Sequence, residues 1–249
     1  MKSLLKMSWT EAKLFIREPV STFFTLVFPV MMLLIFGTII GSQPIPGWSG
    51  GSQSVISNLI PALTATVIGI IGLMAVTITM ATYRENGILR RLRTTPVRPL
   101  TVLGAQVVMV FIMTSLGVIL LSIAGRLIYH VQYQGSLPSL LGGFVLSCLS
   151  FFGIGFILAG TMPTARTAQI VAMVLLYPML LLSGAAWPRE LMPAAVQHIS
   201  AFLPLTYVVN LLRGLWVGES WAQHWSDVLV LVVMLAAGVF ISVKLFRWE

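Results

Sequence analysis

The chain has 249 residues, of which 57% are hydrophobic and 9% charged; its mean hydropathy is +0.96 and its net charge +8. Soluble domains average roughly half apolar and one quarter charged residues. The composition therefore excludes a soluble enzyme and predicts one all-α integral membrane domain.

The first 19 residues predict an amphipathic helix of their own. At 100° per residue, Lys2, Lys6, Lys13 and Arg17 form one stripe, and Leu5, Trp9, Ala12 and Ile16 the stripe beside it. Such a helix lies in the membrane interface, apolar side in the acyl boundary and cations among the headgroups. It serves as a lipid anchor, with a contact to a cytoplasmic partner as the alternative role. Pro19 then turns the chain into the membrane domain, residues 20–249.

A spanning helix needs about 20 mainly apolar residues. Six segments meet that demand: 20–40, 59–82, 100–123, 140–161, 168–186 and 228–245. Between the first two lies a Gly/Ser/Pro-rich loop, 41–54, holding Gly47-Trp48-Ser49-Gly50-Gly51. Before the last span, residues 187–227 read as a region of short helices on the outer face, partly re-entrant. The apolar run 202–217 inside that region is interrupted by Pro204, Asn210 and Arg213, which argues against a seventh span.

Spans two and three are joined by the basic loop Tyr83-Arg84-Glu85-Asn86-Gly87-Ile88-Leu89-Arg90-Arg91-Leu92-Arg93-Thr94-Thr95-Pro96-Val97-Arg98-Pro99, which holds five of the fifteen Lys and Arg residues. Ile88, Leu89 and Leu92 share one helical face while Arg90, Arg91 and Arg93 point elsewhere. Gly87 permits a break after the second span, and Pro96 and Pro99 stop any helix before the third. The loop thus predicts a short amphipathic helix along the membrane. A purely topogenic loop, with arginines at lipid phosphates, needs neither the Leu/Ile face nor the Glu85-Asn86-Gly87 hinge, so a docking element is the preferred reading.

Six spans place both termini on the side of that loop. Twelve of the fifteen Lys and Arg residues then share that side, leaving Arg126, Arg189 and Arg213 opposite. Positive residues accumulate in the cytoplasm, so both termini and the loop are expected there, in the inner (plasma) membrane. The positive charge is accounted for by topology, and nucleic acid is not an expected partner. Cys148 is single, so no disulfide framework is implied.

All seven acids fall outside or at the edges of the spans. Ion-coupled carriers keep ionisable groups within the membrane. The four lysines also lack the glycine pattern of a phosphate-binding loop. A membrane domain without an engine, carrying a docking helix, implies an engine on another chain.

Arg17-Glu18-Pro19 with Phe24, Phe28-Pro29 and Phe36-Gly37 resembles the opening of type II ABC exporter permeases. Arg84 to Pro96 resembles that family's loop motif, Arg-Glu-x-Gly-Thr-Leu-(basic)-x-Leu followed shortly by Pro, with Ile88 where Thr is common. Ser183-Gly184, Trp187-Pro188 and Leu203-Pro204-Leu205-Thr206-Tyr207 resemble the segment before its last span. The likeness covers essentially the whole chain and is nearest in flavour to daunorubicin-type drug-resistance permeases.

The resemblance implies a homodimer of permeases with two ATP-binding subunits, exporting a hydrophobic or amphiphilic substrate. It implies no cofactor on this chain, with ATP and Mg on the partner. Arg84, Glu85, Asn86, Gly87, Leu89, Arg90, Arg91, Leu92 and Arg93 would form the coupling helix, with Lys6, Trp9, Lys13 and Arg17 beside it, and Glu85 would help hold the base of the second span to its neighbours. A cavity between the second and fifth spans of the two copies would be lined by Thr66, Thr77, Thr79, Tyr177, Pro178 and Ser183, although such hydroxyls often serve helix packing instead. A lipid-linked glycan is the alternative cargo. A rhomboid-like serine protease is the rival class, because Gly47 to Gly51 fits G-x-S-x-G; Ser49 there lies in a loop rather than on the strained scaffold a nucleophile needs.

Overall fold

The computed structural model describes residues 22–40, 51–88, 91, 99–186, 189 and 192–245. Among them the secondary structure is helical, without strands. A π-helical turn, Phe23–Val27, runs into α1, Phe28–Ile40. The second span comprises α2, Gly51–Ile70, a π-helical turn at Ile71–Ala75, and α3, Val76–Glu85. Then follow α4 (Pro99–Tyr129), α5 (Leu137–Thr161) and α6 (Ala165–Leu182). Two shorter helices, α7 (Ala194–Ser200) and α8 (Pro204–Val217), precede α9 (Trp225–Leu245).

Among the described residues, five helices are long and apolar enough to cross a membrane, and Thr25–Ile39 forms a shorter apolar helix. The segments predicted from hydropathy fall on these elements. Helix α4 runs six residues beyond the predicted limit, to Tyr129, because Arg126 sits exposed near its end and does not stop it.

The outer region corrects one expectation. Pro204, Asn210 and Arg213 do not interrupt the 202–217 segment: α8 is continuous. Pro204 occupies its first turn, where a missing N–H costs nothing. Arg213 is accommodated by donating from Nη2 to Gly184 O at 2.8 Å. Helices α7 and α8 meet at 97°, the bend of a broken span or of a re-entrant loop. The Thr206 hydroxyl donates to Ser200 O and the Tyr207 hydroxyl to Ala201 O, each at 2.6 Å, pinning the bend.

Helix α5 is the central post. Phe151 and Phe152 are fully buried within the main apolar cluster, which α3, α8 and α9 also build. Small residues set these approaches. A Cβ on Gly238 of α9 would lie 2.8 Å from the Gly153 Cα of α5. A Cβ on Gly155 would strike the Gly72 carbonyl oxygen in the π turn. Without competition from solvent, close backbone packing of this kind is what holds membrane helices together. Two buried hydroxyls add to it: Thr77 donates to Gly155 O at 3.1 Å and Ser150 to Leu231 O at 2.8 Å. Gly37 serves the α1–α4 contact, where the Tyr129 hydroxyl donates to Leu34 O at 3.1 Å.

Candidate functional site

The basic-loop end is built on the last turn of α3. Asn86 leaves the helix at φ −80° and ψ 3°, and Gly87 follows at φ +67°, in the left-handed region that glycine enters without strain. The Gly87 amide donates to Arg84 O at 3.0 Å, which ends α3. The Arg91 amide then donates to Gly87 O at 3.1 Å, so helical winding resumes beyond the glycine. Leu89, Arg90, Leu92 and Arg93 lie outside the described residues, as do Lys6, Trp9, Lys13, Arg17 and Ser49.

Arg84 and Glu85 are directed away from the loop, toward the α5–α6 connection. Arg84 Nη1 donates to Gly160 O at 3.1 Å, one residue before α5 ends. Glu85 Oε2 accepts from the Ala165 amide at 2.8 Å, the first residue of α6. That amide is one of the orphan donors every helix start exposes, and a carboxylate there also meets the positive end of the helix dipole. The α6 N-cap Thr164 accepts from the Thr167 amide at 3.2 Å, so two acceptors serve this helix start. The Arg84–Glu85 pair therefore ties the second span to the base of both α5 and α6. No spacing rule foretells a contact between residues 80 positions apart.

The candidate cavity residues occupy different settings. Thr77 is buried, its hydroxyl committed to Gly155 O. Ser183 is buried, its hydroxyl accepting from the Ala185 amide at 3.3 Å. Thr66 is half-buried and bonds back to Ala62 O at 3.1 Å, and Thr79 is half-buried. Tyr177 and Pro178 are exposed on α6.

At the opposite end, a charged cluster went unrecognised in the sequence. His224 Nδ1 lies 2.9 Å from Asp227 Oδ2, and Nε2 lies 2.7 Å from Glu219 Oε2. Asp227 is buried at the first turn of α9, and Glu219 follows the left-handed cap Gly218 of α8. The cluster thus clasps α8 to α9. Burial works against protonating the imidazole, but the hydrogen bonds and charges of Asp227 and Glu219 outweigh it and raise the His224 pKa. Acids five residues before and three after a histidine at a helix start were the available signal.

Apolar spans, a sharply bent helix pair and a motif-bearing loop anchored at the helix bases define a polytopic helical permease. The chain belongs to the ABC-2 type transporter family, whose model matches residues 2–217. It is 26% identical over 215 residues to "Inner membrane transport permease YhhJ" of Escherichia coli, covering 82% of this chain and 52% of that protein. It is 28% identical over 192 residues to "Probable multidrug ABC transporter permease YbhR" of the same organism, covering 76% and 52%. "Putative transport permease YvfS" of Bacillus subtilis is 24% identical over 247 residues, covering 97% and 96%. The chain spans about half the length of the first two and nearly all of the third.

Proposed function

We propose that this chain is the membrane permease of an ATP-driven exporter, with its basic loop as the coupling element for a separate ATP-binding subunit. The observation that carries the reading is the double anchorage of the loop's root, Arg84 on Gly160 O and Glu85 on the Ala165 amide. A push on the loop would move α3, α5 and α6 together. A topogenic loop has no need of that rigidity.

The remaining parts follow. The loop and both termini face the cytoplasm of the inner membrane, in keeping with the Lys and Arg distribution. ATP and Mg are held by the partner, present in two copies. The permease pairs with a second copy of itself, and Ile170, Val174, Tyr177 and Leu181 supply an exposed stripe on α6 suited to that contact. The cargo is a hydrophobic or amphiphilic compound, in line with the multidrug description of one relative.

The test is transport of a lipophilic dye in cells carrying single substitutions. Glu85→Ala, Leu89→Asp and Leu92→Asp should each abolish coupled efflux, because the latter two bury charge in the partner's cleft. Ser49→Ala should leave it intact. Loss of function in Ser49→Ala with all three loop variants active would instead favour the protease class.

A further inference from the structure

A lateral pocket of about 200 Å³ lies in the half of the bundle remote from the basic loop. Helices α2, α4, α5 and α8 each contribute to its wall. Phe111 and Phe144, with ring centroids 5.6 Å apart, form part of it, and Leu212 and Trp216 bring in helix α8. Three hydroxyls line the pocket and all turn inward on their own helices. Thr64 donates to Ile60 O at 2.8 Å, Ser115 to Phe111 O at 2.7 Å, and Ser122 to Val118 O at 2.8 Å. The wall therefore offers an occupant apolar contact and no hydrogen bond to satisfy.

Two further lining residues, Ile119 and Leu141, are exposed apolar side chains, so the pocket opens sideways toward the hydrocarbon of the bilayer. Its dimensions narrow the occupant. Drug-sized ligands occupy roughly 300–1,000 Å³, more than is present here. Along α4 the lining runs from Phe111 to Ser122. At 1.5 Å per residue that length is about 16 Å, close to the ~15 Å hydrocarbon depth of a single leaflet. An acyl chain matches that length, because it can lie partly in the pocket and partly in the bilayer onto which the pocket opens.

The rim supplies the other half of a ligand. Arg126 stands four residues beyond Ser122 on the same stripe of α4, about 6 Å further toward the headgroups. Its side chain is exposed, and no ion pair holds it among the described residues. We propose that this pocket is a binding site for one phospholipid of the leaflet remote from the basic loop, its acyl chain between α4, α5 and α8 and its phosphate on Arg126. The lipid would brace the seat of α8. The assignment does not depend on what the permease transports.

Trp216 is a native reporter, since it lines the pocket and is buried. The protein is placed in nanodiscs of phosphatidylcholine containing graded amounts of phosphatidylglycerol brominated at mid-chain. The Trp216 signal is taken as the difference from Trp216→Phe. That signal should be quenched saturably, the half-saturating lipid fraction should rise severalfold in Arg126→Gln, and Ser115→Phe should remove the quenching. Arg126→Gln alters an exposed side chain, so its result stands even if Ser115→Phe folds poorly. An unquenched Trp216 signal would overturn the site, as would quenching that survives Ser115→Phe. Quenching unaffected by Arg126→Gln, and matched by a brominated alkane without a headgroup, would overturn the phospholipid. A halved particle mass accompanying lost quenching in Ser115→Phe would assign the face to a second copy of the chain instead.

Discussion

Replacing Glu85 by alanine tests the anchor beneath the loop. The carboxylate supplies one acceptor to the Ala165 amide and a negative charge at the start of α6. Loss of a helix-capping acceptor costs about 1 kcal/mol, and loss of a favourable charge at an exposed helix start about 0.3–1 kcal/mol. Thr164 keeps its own bond to the Thr167 amide, so α6 should not unwind. The expected cost is therefore about 1.3–2 kcal/mol, local to the junction, or roughly a tenfold to thirtyfold rise in its opening equilibrium. Hydrogen exchange of the 162–168 segment in nanodiscs reads this directly. Glu85→Ala should speed exchange there roughly tenfold to thirtyfold while the centre of α5 stays protected. Glu85→Gln, which keeps an acceptor but loses the charge, should fall between. Unchanged exchange in Glu85→Ala would show that the anchor contributes nothing to the junction, and the transmission argument built on it would fail.

Other consequences can be measured in parallel. Gly87→Ala introduces no collision, yet φ +67° is strained for alanine, so a loss of about 1 kcal/mol in detergent thermal unfolding is expected. Gly155→Ala and Gly238→Ala each drive a methyl into backbone, at the Gly72 carbonyl and the Gly153 Cα, and should cost about 1–3 kcal/mol or more. Of these three variants, only the latter two should lower the melting temperature by loosening the α5 contacts. The His224 clasp predicts a pH dependence with a definite sign. Its folded-state pKa is raised, so its contribution is complete below the ordinary value of 6.5 and is lost as pH rises through the folded value. Melting temperature should fall over that window in the wild type and change less in His224→Gln; identical slopes would refute the clasp.

Much of the fold was legible because the membrane imposes it. A chain in hydrocarbon must satisfy its backbone within helices, so apolar runs of sufficient length mark spans almost irrespective of sequence detail. The segment before α9 reads in the sequence as short helices, as it is, but Pro204 begins a helix rather than interrupting one. The same residue that breaks a helix interior is well suited to a helix start, and only the chain path distinguishes the two. The π turn at Ile71–Ala75 is not legible either; α5 packs closely against it at Gly72. The loop motif announced itself through composition and the Gly87 hinge. The resemblance implies that Glu85 holds the base of the second span, but the groups that Arg84 and Glu85 grip are not legible, because Gly160 and Ala165 contribute backbone groups, which every residue possesses. Thr77 shows the converse limit: a hydroxyl in a span looks the same in sequence whether it faces a cavity or a neighbouring helix.

The most direct measurement is affinity purification of the chain from its native membrane in mild detergent, followed by an ATPase assay of the eluate. The account predicts a co-purifying ATP-binding subunit whose hydrolysis weakens in Leu92→Asp. A chain recovered alone and without ATPase activity would contradict it.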